Sequence, residues 1–117
     1  MADSSGGNLV KEVKRIDKNA VVVLSGEVDL HQSPALHSAL LEIAKERPSK
    51  FVLDLNDVGY NDSSGVGTFV YVFRRVNSYK GQMMLVGLND RVRSVFEITK
   101  LDRFFTICDT EEQALNG

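Results

Sequence analysis

The sequence predicts a small α/β domain: a mixed, mostly parallel β-sheet with an antiparallel hairpin at its N-terminal end, flanked by about four helices. Three observations lead there. Short apolar runs rich in Val, Phe, Leu and Met alternate with stretches whose apolar residues recur at steps of three and four. The first two strand-like runs are separated only by a polar turn, which asks for antiparallel pairing, whereas helices separate the later ones and ask for parallel crossovers. The 117 residues, 43% hydrophobic and 26% charged, suit one compact core. The element order is β-β-α-β-α-β-α-β-α.

Residues 1 to 8, rich in Ser, Gly and Asn, have nothing to bury, so an unstructured segment is expected there, with the domain running from residue 9 to 117. Val10 to Ile16 alternates apolar and charged side chains imperfectly and reads as an edge strand. Asp17-Lys18-Asn19 turns the chain into a more buried strand, Ala20 to Leu24, and Gly26 to Leu30 leaves it. Ser33 is expected to cap a helix with Pro34 at its first position. Leu36, Leu40, Ile43 and Ala44 give that helix a core face as far as Arg47, and Pro48 stops it.

Phe51 to Leu55 is the next buried strand, followed by a polar turn. The helix after it is expected from about Ser64, with Val66, Phe69, Val70, Phe73 and Val76 on its apolar face and Gly81 as its left-handed cap. Met83 to Val86 reads as a short strand, and Asn89 as the cap of a helix that buries Val92, Val95 and Phe96. Phe104 to Cys108 is the last strand. Asp109 to Leu115, with acids in its first turn, is a short closing helix.

Composition excludes several functions. A net charge of -2 argues against a nucleic-acid reader, which needs a concentrated basic surface; Arg74-Arg75 and Arg91-Val92-Arg93 are interleaved with apolar residues and read as solvated helix faces. Cys108 is alone, so an intrachain disulfide and a zinc cluster both lack ligands, and it reads as a small buried hydrophobe. No run approaches the ~18 apolar residues of a membrane span, and Met1 to Ser5 lacks the features of a signal peptide. The expected location is the cytoplasm, without membrane insertion.

The most informative stretch is Phe51 to Gly67, where a buried strand leads through Asp62-Ser63-Ser64 into the mouth of a helix. Open α/β sheets gather functional loops at this end of their strands, and a helix N-terminus favours negative charge. Asp29, the Asp62-Ser63-Ser64 turn and the amides of Gly65, Val66 and Gly67 are therefore expected to meet. From spacing alone two readings stand side by side. In one, Asp62 or Ser63 is only a cap and the glycines only allow close packing; in the other, the serine is modified and read by a partner. An enzyme reading would make Ser63 or Ser64 a nucleophile with His31, a loop residue, or His37, a surface residue of the first helix, as its base; a hydrolase elbow, however, needs Gly two places to each side of the serine, whereas Asn61 and Gly65 flank Ser63, and Asp62 and Val66 flank Ser64. A phosphate-binding loop would need a lysine followed by a hydroxyl residue after its last glycine, and that pair is absent after Gly67.

Phe51 to Val76, with Asp-Ser-Ser-Gly-Val-Gly at its centre, resembles the signature of the anti-sigma factor antagonist family, the STAS domain (sulfate transporter and anti-sigma factor antagonist). Leu24-Ser25-Gly26-Glu27-Val28-Asp29, Gly81 to Val86, and Val92 to Phe96 continuing to Leu101 match in order, so the likeness covers about residues 9 to 115. The resemblance implies a single STAS-like domain that is not an enzyme and takes no cofactor. It implies that Ser63 is phosphorylated by a partner serine kinase that is itself an anti-sigma factor. The unphosphorylated form would bind that kinase and release a sigma factor, and a serine phosphatase would reset the cycle. Asp29 matches the family's acidic residue beside the serine and the partner surface; around it and Ser63 the partner surface is expected to comprise Leu30, His31, Asp62, Ser64 and Gly65, with exposed parts of the following helix such as Tyr71 and Arg75. Asn61 and Leu30-His31-Gln32 depart from the family pattern. The alternative reading is a STAS scaffold or regulatory subunit of a stress-signalling or membrane-transport assembly.

Overall fold

Strands β1 (Val10–Ile16) and β2 (Asn19–Val28) pair antiparallel, turning through Asp17 at a φ of 56°. The computed structural model describes residues 9–116, so the expectation for residues 1 to 8 lies outside it. After the hairpin come α1 (Ser33–Ala44), β3 (Lys50–Asn61), α2 (Ser63–Ser78), β4 (Gln82–Val86), α3 (Asp90–Ile98), β5 (Thr106–Cys108) and α4 (Glu111–Asn116). This is the predicted order. The sheet runs β1-β2-β3-β4-β5, with every pairing after the hairpin parallel.

Alternation along the central strands divides the interior into two layers. Val22, Leu24, Phe51, Leu53, Leu55 and Leu85 point to the face covered by Leu36 and Leu40 of α1, Phe69 and Val72 of α2, and Phe96 of α3. Three successive crossovers that step the same way along a sheet put their helices on one side. Val21, Val23, Val52, Met84 and Val86 point to the other face, where α4 alone supplies cover through Ala114 and Leu115. A six-residue helix is too short to hold itself. Lysines fasten it at both ends: Lys14 Nζ donates to Glu111 Oε1 at 2.7 Å, and Lys50 Nζ to the Leu115 carbonyl at 2.7 Å.

Several boundaries differ from those expected. Asn56 to Asn61 is strand, not a polar turn, with Val58 and Asn61 buried. The reason lies in β2, which continues past Leu24 so that Ser25 to Val28 pair with Asp57 to Asn61 across two bulges, beside Gly26 at a φ of 107°. Ser33 is the first residue of α1 and not its cap; its hydroxyl donates back to the Asp29 carbonyl at 2.9 Å, and Gln32 occupies the cap position. The same helix ends at Ala44, and Arg47, at a φ of 55°, already leads away from it.

At the other end of α2 the left-handed residue is Lys80, at a φ of 69°, not Gly81. Gly81 is needed for space: a Cβ there would lie 2.6 Å from Tyr79 Cε1 and 2.9 Å from Val76 Cγ1. Val72, not Val70 or Phe73, is the fully buried residue in the middle of α2. β5 begins only at Thr106, with Phe104 exposed and Phe105 buried against Phe96, ring centroids 5.6 Å apart. Cys108 is half-buried at the edge of the smaller layer.

Candidate functional site

β2 and β3 end level with each other, Val28 opposite Asn61, so the residues that follow them, Asp29 and Asp62, open two neighbouring turns. The Asp62 amide donates to the Val28 carbonyl at 3.0 Å, which ties the second turn to the end of the first strand. Each aspartate then organises its own turn. Asp62 caps α2 with extended backbone, its Oδ1 accepting from the Gly65 amide at 3.1 Å. Asp29 Oδ1 accepts from the Gln32 amide at 3.1 Å, and its carbonyl accepts from the Ser33 amide at 2.9 Å. Both carboxylates thus have local structural work.

These anchors leave Ser63 exposed as the first residue of α2, one step later than a helix start at Ser64 would put it. Its amide and that of Ser64 have no carbonyl partner within the helix, so they lend partial positive charge to the surface around the hydroxyl. Ser64 is half-buried. Gly65 is buried against Val28 and Asn61, so it presents nothing outward and instead sets how closely α2 meets the sheet. On the neighbouring turn, which Asp29 holds, Leu30 is 66% exposed and His31 is exposed. An uncovered leucine beside a free hydroxyl is a surface suited to protein contact.

The remaining residues of the implied surface lie further along α2. A rise of about 1.5 Å per residue puts Tyr71 roughly 12 Å and Arg75 roughly 18 Å from Ser63 along the helix. Tyr71 is 51% exposed and packs its ring on His37 of α1, centroids 4.4 Å apart. His37 was legible only as a surface residue of the first helix; its part as the support of Tyr71 depends on how α1 and α2 lie together. Arg75 is not brought to the serine. It lines a cavity of about 300 Å³ between the far ends of α1 and α2, with Ala44, Lys45, Arg47, Ser78 and Tyr79. The structure therefore joins Asp29, Leu30, His31, Asp62, Ser63 and Ser64 at one end of the helix pair, extends that surface to Tyr71, and leaves Arg75 apart.

Asn61 is the site residue whose burial the sequence did not disclose. It is 1% exposed, its Nδ2 reaches the Asp62 carbonyl at 3.4 Å, and its Oδ1 has no hydrogen-bond partner. Nothing in the described residues gathers three or more His, Cys, Asp or Glu side chains in an arrangement fit for a metal ion. Among those residues, too, no helix is long and apolar enough to cross a membrane.

Comparison with known proteins agrees with this architecture. The anti-sigma-B factor antagonist of Listeria monocytogenes serovar 1/2a is 32% identical over 111 residues, which span 94% of this chain and 96% of that protein. The crystal structure of an anti-sigma factor antagonist from Mycobacterium paratuberculosis superposes with a TM-score of 0.82 at 28% identity, covering 90% of this chain and 89% of that one. The phosphorylated form of SpoIIAA, a Bacillus cell fate determinant, shares the fold at a TM-score of 0.68 and 21% identity, covering 90% and 96% of the two chains. These are names of regulatory binding proteins, not of enzymes. Residues 10–114 match the family model described as the STAS domain, and the chain belongs to that family.

Proposed function

We propose that this protein is an anti-sigma factor antagonist switched by phosphorylation of Ser63. In its unphosphorylated form it binds an anti-sigma factor that is also a serine kinase, and so frees a sigma factor; a serine phosphatase restores the binding form. The observation that carries the reading is the exposed Ser63 hydroxyl on a rigid strand-to-helix corner, beside the uncovered Leu30. The relatives' names supply the class of partner.

The charge arithmetic favours a switch that acts on the partner and not on the fold. A phosphoserine adds about -1.5 to -2 in charge, and at the start of α2 the free amides and helix dipole offset part of its cost to the domain itself. A partner carboxylate roughly 7 Å away would feel about 2 kcal/mol of repulsion per unit charge at an effective dielectric near 20, more than a tenfold loss in affinity. Displacement of close-packed side chains around Leu30 adds to this.

Calorimetric titration of the cognate anti-sigma factor into wild type, Ser63→Ala and Ser63→Asp tests the reading. Ser63→Ala is expected to bind and to resist phosphorylation, and Ser63→Asp to bind at least about tenfold more weakly. Equal affinity for Ser63→Asp, together with phosphate incorporation at another residue by mass spectrometry, would overturn it.

A further inference from the structure

α2 has two exposed flanks. Tyr71 and Arg75 face α1, whereas Val70, Phe73 and Arg74 face the segment after α3 and, with Leu101 and Phe104, line an apolar groove of about 120 Å³. A cavity of ~150 Å³ holds a benzene-sized ring, so this smaller one takes a single aliphatic side chain. Its floor is firm: Phe73 meets Phe104 at 6.3 Å and Phe105 at 5.5 Å between centroids, and Phe105 in turn meets Phe96. Its lip is uncovered, with Phe104 56% exposed.

The charge around the groove is lopsided. In its lining and in the chain that adjoins Leu101 and Phe104, Arg74, Lys100 and Arg103 stand against Asp102, in a chain whose net charge is -2. Among the described residues the ion pairs use Lys11, Lys14, Arg15 and Lys45, and none of those three cations. Arg74 stands in the wall of the groove, and Arg103 and Lys100 adjoin Phe104 and Leu101 in the chain and are exposed. A concave apolar slot with one arginine in its wall and more cations than carboxylates beside it fits an apolar side chain carried between carboxylates.

We propose that this groove is a second docking surface, separate from the Ser63 corner, which receives an acidic segment of a protein partner by taking one of its Leu side chains beside Phe104. A membrane is the less suitable occupant, because the apolar surface is a recess in the domain and not the protruding face of an amphipathic helix. Binding here does not depend on the state of Ser63, so a partner held in the groove stays attached through the phosphorylation cycle.

The probe is a fluorescein-labelled synthetic helical peptide with Leu on one face and Glu on the other, titrated into the full chain, with a peptide bearing Lys in place of Glu as control. The Glu peptide is expected to bind at least about tenfold more tightly than the Lys peptide at low salt and to move the amide resonances of Val70, Leu101 and Phe104. Arg74→Glu and Phe104→Ser should each weaken it about tenfold, and Ser63→Asp should leave it unchanged. Circular dichroism checks that the variants fold, and Arg103→Glu serves if Phe104→Ser does not. Equal binding of the two peptides, or shifts confined to the Ser63 corner, would overturn the proposal. So would phosphatidylserine vesicles that bind the chain and lose it in the same variants, or a self-association in sedimentation that Phe104→Ser abolishes.

Discussion

Gly65 meets Val28 so closely that a Cβ on the glycine would lie 2.7 Å from Val28 Cγ1 and 3.3 Å from the Val28 carbonyl oxygen. Val28 is buried and β-branched at the last rung of β2, so it cannot turn aside. This contact fixes the start of α2 against the strand that leads to Asp29, and with it the relation between Ser63 and the Leu30 turn. Gly65→Ala should therefore be destabilising although alanine is the better helix former. Overpacking costs about 1–3 kcal/mol against a propensity gain of about 1, so urea unfolding should show a net loss of roughly 1 kcal/mol. A more stable variant would mean that the corner has slack.

Asn61 makes the opposite case, a polar side chain where an apolar one would fit better. Its buried Oδ1 lacks a partner, and its one hydrogen bond, to the Asp62 carbonyl, is long at 3.4 Å. An unsatisfied buried acceptor costs about 1–3 kcal/mol. Asn61→Leu, close in shape and unbranched at Cβ, should raise stability by about 1 kcal/mol, seen as an increase of a few degrees in Tm. An unchanged or lower Tm would show that the amide is satisfied in solution.

The opposite face of the sheet carries a pH-sensitive fastening. Burial pushes the Asp54 carboxyl up, but hydrogen bonds from Glu111 and from the Asn56 amide and side chain, with Lys14 nearby, outweigh it and hold Asp54 below its ordinary 3.8. Glu111 is raised above 4.5 by its hydrogen bond to Asp54 and by burial, against the pull of Lys14. Glu12 also faces Lys14 from β1. The signs are opposite. Asp54 contributes stability above its unfolded value, lost as pH falls through the depressed one; Glu111 contributes stability below its unfolded value, lost as pH rises through the raised one. Stability should therefore pass through a maximum on the acidic side and decline as Glu111 ionises. Glu111→Gln, which keeps a donor for Asp54 at every pH, should flatten that decline in a Tm-versus-pH series and slow amide exchange in α4 near neutrality. A wild-type curve that rises steadily to neutral pH would contradict the shared proton.

Periodicity and breakers made the order of elements readable, because each buried run has a face to fill: Leu36 and Leu40, Phe69 and Val76, Val92 and Phe96 all reach the core that their spacing calls for. Misreadings fell where a local signal was overruled by a distant partner. Asn56, Asp57 and Asn61 carry turn chemistry, yet the continuation of β2 holds them in a strand. Ser33 looks like a cap, yet the Asp29 turn engages its hydroxyl. Gly81 looks like a left-handed cap, yet Tyr79, Val76 and Pro48 crowd it and Lys80 takes the turn. At the site, a cap at Asp62 or Ser63 was legible because a cap is local, and Asp62 is the one that takes it. The distance from Ser63 to Arg75 and the support of Tyr71 by His37 were not, since both depend on helix placement.

Tyr71 allows the partner surface to be separated from the fold. Its ring packs on His37 at 4.4 Å but is half exposed, so truncation removes one aromatic contact and little buried area. Tyr71→Ala should cost the domain no more than about 1 kcal/mol. If Tyr71 belongs to the surface that the anti-sigma factor covers, its affinity for that partner should fall by more than this, about tenfold or beyond. His37→Ala loosens the same ring without deleting it and should reduce affinity less, and the double variant should lose less than the sum of the two. Affinity losses that merely follow stability across all three variants would show that Tyr71 holds α1 and α2 together and touches no partner.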